Sequence, residues 1–159
     1  LEENLKQWID RVSKPRKELN GFSICPFAKK SSEEQGIFWT YIEDHPEAFM
    51  LRYLQILPVF NLVIFIDKTK TLTNGDLLCI MSNLQEVMPE LIFLKDHPDY
   101  PGYINGVSTG NGVYPIILAQ PRYKLLESRE RLKKTKYYDY WSEEYKNEVW
   151  SYGSESKSD

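Results

Sequence analysis

The chain has 159 residues, about the length of one domain, with 42% hydrophobic and 27% charged residues. A domain of this size buries roughly 68–70% of its unfolded surface, enough for a core without disulfides or metal. The composition excludes wholesale disorder, collagen and coiled coil, and a net charge of −3 argues against nucleic acid held by overall charge.

Leu5, Trp8, Ile9 and Val12 recur at i, i+3, i+4 and i+7, which predicts a helix over residues 2–13. Pro15 stands just past that stripe and ends it. Asn20-Gly21 marks a turn leading into Phe22-Ser23-Ile24-Cys25-Pro26-Phe27. Ile37 to Ile42, dense in β-branched and aromatic residues, predicts a strand. Asp44 is the expected cap of a helix that carries Phe49, Leu51, Tyr53 and Leu54 and stops before Pro58. Asn61 to Ile66 lacks alternation, the pattern of a strand buried on both faces. The next helix is capped by Thr73 or Asn74, turns Leu77, Met81, Leu84 and Met88 inward, and closes at Pro89. Leu91 to Leu94 is a third strand, and strand, helix, strand at these lengths reads as a βαβ crossover with parallel neighbours.

Residues 97–112 read as a loop that holds Gly102, Gly106, Gly110 and Gly112. Val113 to Leu118 reads as an edge strand, because Pro115 cannot donate to a central ladder. Pro121 suits the first turn of a helix reaching Lys134, with Leu125, Leu126 and Leu132 turned inward. Ser142 is the expected cap of a last short helix ending near Trp150. The architecture expected is a single α/β domain over residues 1–150, with a small mixed sheet of three or four strands, βαβ crossovers and flanking helices. The Ser-rich, charged stretch 151–159 reads as a disordered tail.

Cys25 and Cys79 are too few for a disulfide framework, which points to a reducing compartment and a cytoplasmic location. The longest apolar run, Leu62–Ile66, falls far short of a membrane span, and the first residues carry no charged and apolar leader. The two cysteines, His45 and His97 form no CxxC or HxxxH pair, so no structural zinc site is expected, and no cofactor follows from the sequence.

Three segments carry candidate chemistry. Cys25 lies between a turn and the basic pair Lys29-Lys30, whose charge would favour a thiolate; the competing reading is a small buried residue between Ile24 and Phe27. Cys79 lies beside the inner stripe of its helix and reads as structural. Lys95-Asp96-His97-Pro98-Asp99-Tyr100 begins where a buried strand ends, the side of an α/β sheet where ligands gather. His97 there suits an acid–base role, with Asp99 to orient the imidazole; Asp and Pro also build tight turns for backbone reasons alone. Asp67 ends the preceding strand and would share that edge with His97 if the two strands are parallel. In the glycine loop, Asn105, Ser108, Thr109 and Asn111 are candidate donors to an anion, against the plainer reading of a surface loop.

Residues 121–136 hold seven basic and two acidic side chains, and residues 139–159 hold six acidic and two basic. Between them lies Tyr137-Tyr138-Asp139-Tyr140-Trp141. Basic residues beside aromatics suit phosphate, a nucleic-acid strand or an acidic protein partner, and equally a solvated helix face.

Gly21-Phe22-Ser23-Ile24-Cys25-Pro26-Phe27-Ala28-Lys29 resembles the Gly-Leu-Asn-Leu-Cys-Pro-Phe-Ala signature of the bacterial domain-of-unknown-function family 1415. His97-Pro98-Asp99-Tyr100 is similar to that family's Phe-His-Pro-Asp-Tyr. Asn111 followed by Tyr114-Pro115 is similar to its Asn-Arg-Ser-Pro-Tyr-Pro. The order holds across residues 8–118. Gly112 stands where the family has Arg, and Ile116-Ile117-Leu118-Ala119 replaces its His-Leu-Leu-Arg-Glu. The resemblance implies that Cys25, His97 and Asp99 belong to one site, and it carries no reaction.

Two functions follow. The first is a small-molecule enzyme with Cys25 as nucleophile, His97 as its base and Asp99 as orienter. Lys29, Asp67, Tyr100, Asn111 and Tyr114 would bind substrate under the 102–112 loop. A metal-assisted form would use Cys25, His97 and Asp99 as ligands with water in the fourth place. The second is a non-catalytic binding protein working through the basic helix 121–136 and the aromatic segment 137–141.

Overall fold

The structure, a computed structural model, describes residues 2–34 and 36–152, and the backbone alone of Lys29, Ser32 and Glu33. The expected tail therefore lies outside the described residues from 153 onward. Before it, the last helix runs on to Ser151, and Tyr152 packs against the core.

Among the described residues six α-helices surround a four-stranded sheet. Helix α1 (Glu3–Ser13) buries Leu5 and Val12, as its spacing predicts. Helix α2 (Pro26–Glu33) is absent from the sequence reading. It starts at Pro26, whose fixed φ and missing N–H suit a first helical position. Strand β1 (Ile37–Tyr41) leads to α3 (Pro46–Ile56). The residue before α3 is His45, in a left-handed conformation, so Asp44 is not its cap and Pro46 supplies the start. Strand β2 (Leu62–Ile66) leads to α4 (Asn74–Val87). There the Thr73 side chain accepts from Asp76 N–H while the Asp76 carboxylate accepts from Thr73 N–H, a reciprocal capping box. Strand β3 (Leu91–Asp96) follows.

Residues 97–112 are more ordered than a plain loop. Strands β4 (Tyr103–Ile104) and β5 (Val107–Ser108) pair as a hairpin around Asn105-Gly106. Both turn residues have positive φ, 47° and 78°, which Asn-Gly tolerates in a two-residue hairpin turn. Strand β6 (Ile116–Pro121), α5 (Arg122–Lys133), a 3-10 turn (Tyr137–Tyr140, the second after one at Lys17–Leu19) and α6 (Glu143–Ser151) follow. Ser142 caps α6 by accepting from Tyr145 N–H.

The sheet order is β1-β2-β6-β3, with β1 and β2 parallel and β6 antiparallel to both neighbours. Two expectations change. Strands β2 and β3 run the same way but are not neighbours, because β6 inserts between them. Strand β6 is therefore central, not an edge. Pro115 lies just before it and contributes only its carbonyl, which accepts from Asp67 N–H at 2.9 Å. Pro121 closes it, so neither proline removes a donor from the middle of the ladder.

Alternation along the strands sorts side chains to two faces. Val63, Phe65, Phe93, Ile117 and Ala119 face α3 and α4, meeting Met50, Leu54, Leu77, Met81 and Leu84. Ile64, Ile66 and Ile116 face α1 and meet Leu5 and Trp8. A third cluster joins Val12, Leu19, Ile24 and Ala28 to Ile104 of the hairpin, with Trp141 and Tyr145 against it. Helix α6 starts at that cluster, and Tyr152 just past its end reaches the α3–α4 core, so α6 passes round the β3 edge. No helix among the described residues is long and apolar enough to cross a membrane.

Ile117 is fully buried at the centre of the sheet, whereas Ile56 is 78% exposed. Ile117→Ala should cost about 3 kcal/mol in urea unfolding, from lost transfer energy and the cavity left behind. Ile56→Ala should change stability by less than about 0.5 kcal/mol. Equal effects would contradict the central placement of β6.

Candidate functional site

The carboxyl ends of β2 and β3 do share an edge, and there Asp67 and His97 meet at one residue, Leu72. The buried Asp67 carboxylate accepts from Leu72 N–H at 2.8 Å, from the N–H groups of Thr69 and Lys70 at 3.1 Å each, and from the Thr69 hydroxyl at 2.7 Å. His97, also buried, lies 3.0 Å through Nε2 from the Leu72 carbonyl oxygen. Its Nδ1 accepts from Asp99 N–H at 3.1 Å, so Nε2 carries the proton and donates. Both groups are spent on fixing the turn that feeds α4. The Asp99 carboxylate is 81% exposed and 3.9 Å from Nδ1, a position on the rim of the turn.

The glycine-loop residues are equally committed. The Asn111 side chain donates to Asp96 Oδ2 and to the Tyr114 carbonyl at 2.9 Å, and accepts from the N–H groups of Val113 and Tyr114. Tyr114 packs beside Ile116 with the Lys70 ammonium 5.2 Å from its ring centre. Helix α1 holds the loop down: Arg11 donates to the Ser108 and Gly110 carbonyls, and Trp8 Nε1 to Thr109 O at 3.0 Å. Gly102 is required by close approach, since a Cβ there would lie 2.6 Å from the Tyr145 ring.

Cys25 lies elsewhere. Following β3 past its end, His97 falls on the side of Phe93, where it reaches Leu72; Cys25 lies with Val12, Ile24 and the hairpin on the opposite face. The structure therefore does not bring Cys25 and His97 together. The metal-assisted form is not assembled either: among the described residues no three His, Cys, Asp or Glu side chains are placed to hold an ion. The thiol sits at the start of α2, where the N–H groups of Phe27 and Ala28 favour a thiolate. Burial outweighs them and pushes the Cys25 pKa up, the reverse of the effect expected from basic neighbours. The Lys29 side chain lies outside the described residues.

Cys25 does line a cavity of about 230 Å³ on that second face. Its floor is the outer part of the sheet, Leu94 and Asp96 of β3 and Leu118 and Gln120 of β6. One wall is Trp8, Ile24 and Phe27, another Gly102, Ile104 and Thr109 of the pinned loop, with Tyr100 among the lining residues. The rest comes from the C-terminal third: Tyr137, Tyr138 and Trp141, then Tyr145, Val149 and Tyr152 along and beyond α6. Tyr137 is the junction. It is buried, its hydroxyl donates to the Ile24 carbonyl, and its ring meets Phe22, Tyr138 and Trp141 with centroids 5.7, 4.8 and 5.7 Å away. The Tyr145 hydroxyl and Thr109 Oγ1 are 3.2 Å apart. Burial raises the pKa of Tyr137, Tyr138, Tyr145 and Tyr152, so all four phenols stay neutral donors well past neutrality.

Helix α5 adds Leu125, Arg129 and Leu132 to the lining, an i, i+4, i+7 stripe. Arg129 is only 8% exposed. The other cations of this helix do not form a free basic face. Arg131 and Lys133 pair with Glu127 and Glu130, both at 2.7 Å, and Lys124 donates to Asn61 Oδ1. Sequence reasoning singled out the aromatic segment but missed Trp8, Tyr145 and Arg129 as its companions. The stripe through 125, 129 and 132 was the available signal, since it places Arg129 on the inward face that Leu125 and Leu132 define.

Iodoacetamide should alkylate Cys25 at least about ten times more slowly than exposed Cys79 at pH 8, its rate still climbing with pH beyond the range where an ordinary thiol levels off. His97→Ala should leave that profile unchanged. Fast reaction with an apparent pKa below about 8.5, raised by His97→Ala, would restore the paired thiolate. Comparison of the chain with protein-family models, curated proteins and solved structures gives no match in any of the three.

Proposed function

We propose that this chain is a binding protein for a small, largely aromatic molecule, held in the cavity between the β3 side of the sheet, α5 and the Tyr137–Tyr152 segment. One observation carries the reading. A half-open cavity of about 230 Å³ is lined by aromatic side chains from both ends of the chain, with a few polar groups among them. That balance of apolar wall and sparse polar atoms is the usual make-up of small-molecule sites. An apolar cavity of about 150 Å³ already accepts benzene, so this one suits a body of one or two rings.

The chemistry around the cavity favours binding over turnover. The thiol in its wall is held protonated by burial, and the imidazole expected to activate it serves the α4 turn. Asp96 faces the cavity, but its Oδ2 accepts from both the backbone and the side chain of Asn111. The reading keeps the aromatic segment 137–141 of the binding alternative and moves its partner from a protein surface to a small ligand. The resemblance to family 1415 is compatible with it, because Cys25 of the first motif and Tyr100 of the second both line the cavity.

N-phenyl-1-naphthylamine, a neutral dye that brightens when taken out of water, tests this. The native chain should bind about one equivalent with micromolar affinity, roughly −8 kcal/mol. Val149→Trp, which fills the cavity from α6, should weaken binding at least tenfold. Cys25→Ser should change it by less than about threefold, since the thiol contributes wall and no bond. Absence of brightening, or binding indifferent to Val149→Trp, would contradict the reading.

A further inference from the structure

Arg129 deepens that reading and rests on it. The residue lines the cavity and is only 8% exposed, in the middle of the inward stripe of α5, and its guanidinium nitrogens keep some access to solvent. Among the described residues no carboxylate, carbonyl or hydroxyl accepts a hydrogen bond from it and none forms an ion pair with it. Burial is the largest influence on its charge and disfavours it; the Tyr138 phenol acts the other way, and a second cation, Arg122, acts with burial. The carboxylates that share the cavity are engaged with other partners. Asp96 is bound by Asn111 at 2.7 Å, and Glu148 accepts from the Tyr152 hydroxyl at 2.9 Å.

A largely buried side chain whose guanidinium carries five donors and no protein acceptor has those donors free for an anion that enters the cavity. We propose that the cavity takes an aromatic carboxylate, its ring among Tyr137, Tyr138 and Trp141 and its carboxylate on the Arg129 guanidinium. The geometry of the two planar groups favours a carboxylate, since one arginine fork meets both oxygens at once. A phosphate dianion would leave its second charge facing Glu148 and Asp96 in the same wall. The aromatic lining supplies flat faces for the ring and edge hydrogens for stacking.

The test is calorimetric titration of the whole chain with benzoate and with benzamide, which share a ring and differ in charge, and with inorganic phosphate. Benzoate should bind at least ten times more tightly than benzamide, and phosphate should not compete at equal concentration. Arg129→Met should reduce the benzoate preference to less than twofold while leaving benzamide affinity within threefold. The melting temperature of Arg129→Met should stay level or rise, because an unpaired buried charge is being replaced by an apolar chain of similar length. Arg129→Lys should keep part of the preference, having the charge without the fork.

Equal binding of benzoate and benzamide by the native chain would overturn the carboxylate assignment and leave the cavity reading standing. Binding of neither, at up to 20-fold the concentration that saturates the naphthylamine dye, would do the same. Failure of the dye, benzoate and benzamide together would overturn both. A melting temperature that falls sharply in Arg129→Met, with the benzoate preference intact in that variant, would make Arg129 a structural residue and overturn the assignment.

Discussion

The hydrogen bond from the buried Tyr137 hydroxyl to the Ile24 carbonyl joins two parts of the chain 113 residues apart. It fixes the segment carrying Cys25 against the aromatic run that follows α5. Around it the Tyr137 ring meets Phe22, Tyr138 and Trp141, and Trp141 passes the contact to Tyr145 at 4.8 Å between centroids. Remove that junction and α6 loses its seat against the hairpin, and the cavity loses a wall. A hydrogen bond of this kind is worth about 1 kcal/mol net, but the phenol would be left buried and unpaired without it. The packing of four aromatic rings adds to its weight, each favourable pair contributing about 0.5–1.5 kcal/mol.

The sheet supplies the other constraint. Insertion of β6 between β2 and β3 makes the two faces unequal in use. The face toward α3 and α4 is filled by Phe65, Phe93, Leu77 and Met81 and forms the main core. On the opposite face α1 covers β2 and part of β6, while the β3 side is roofed by α5, the 3-10 turn and α6. The cavity lies under that second roof, where large rings from separate elements meet without interlocking.

Much of this was legible in the residues. The stripe of α1, the unbroken run of β2, and the caps Thr73 and Ser142 each follow from one local rule, and the structure has them where the rule puts them. What was not legible depended on distant partners. Pro115 looked like a mark of an edge strand, yet it lies one residue outside a central one. Asn105-Gly106 is a strong hairpin signal, but its strands have two residues each, too short to show alternation. His97 and Asp99 have the residue types of an acid–base pair, and only the tertiary fold reveals that Leu72 claims the imidazole. Arg129 sits in a run of basic residues, and composition alone cannot tell which one of them turns inward.

The account's central claim is that the inward arginine and the aromatic wall form one ligand site. Crystals of the full chain soaked with 4-bromobenzoate test it most directly, because bromine scatters anomalously and marks the ring. The account predicts a bromine peak inside the cavity and the carboxylate within about 3 Å of the Arg129 guanidinium, the span of a charge-assisted hydrogen bond. Bromine found only on the outer surface, or a bound ring whose carboxylate points away from Arg129, would contradict it.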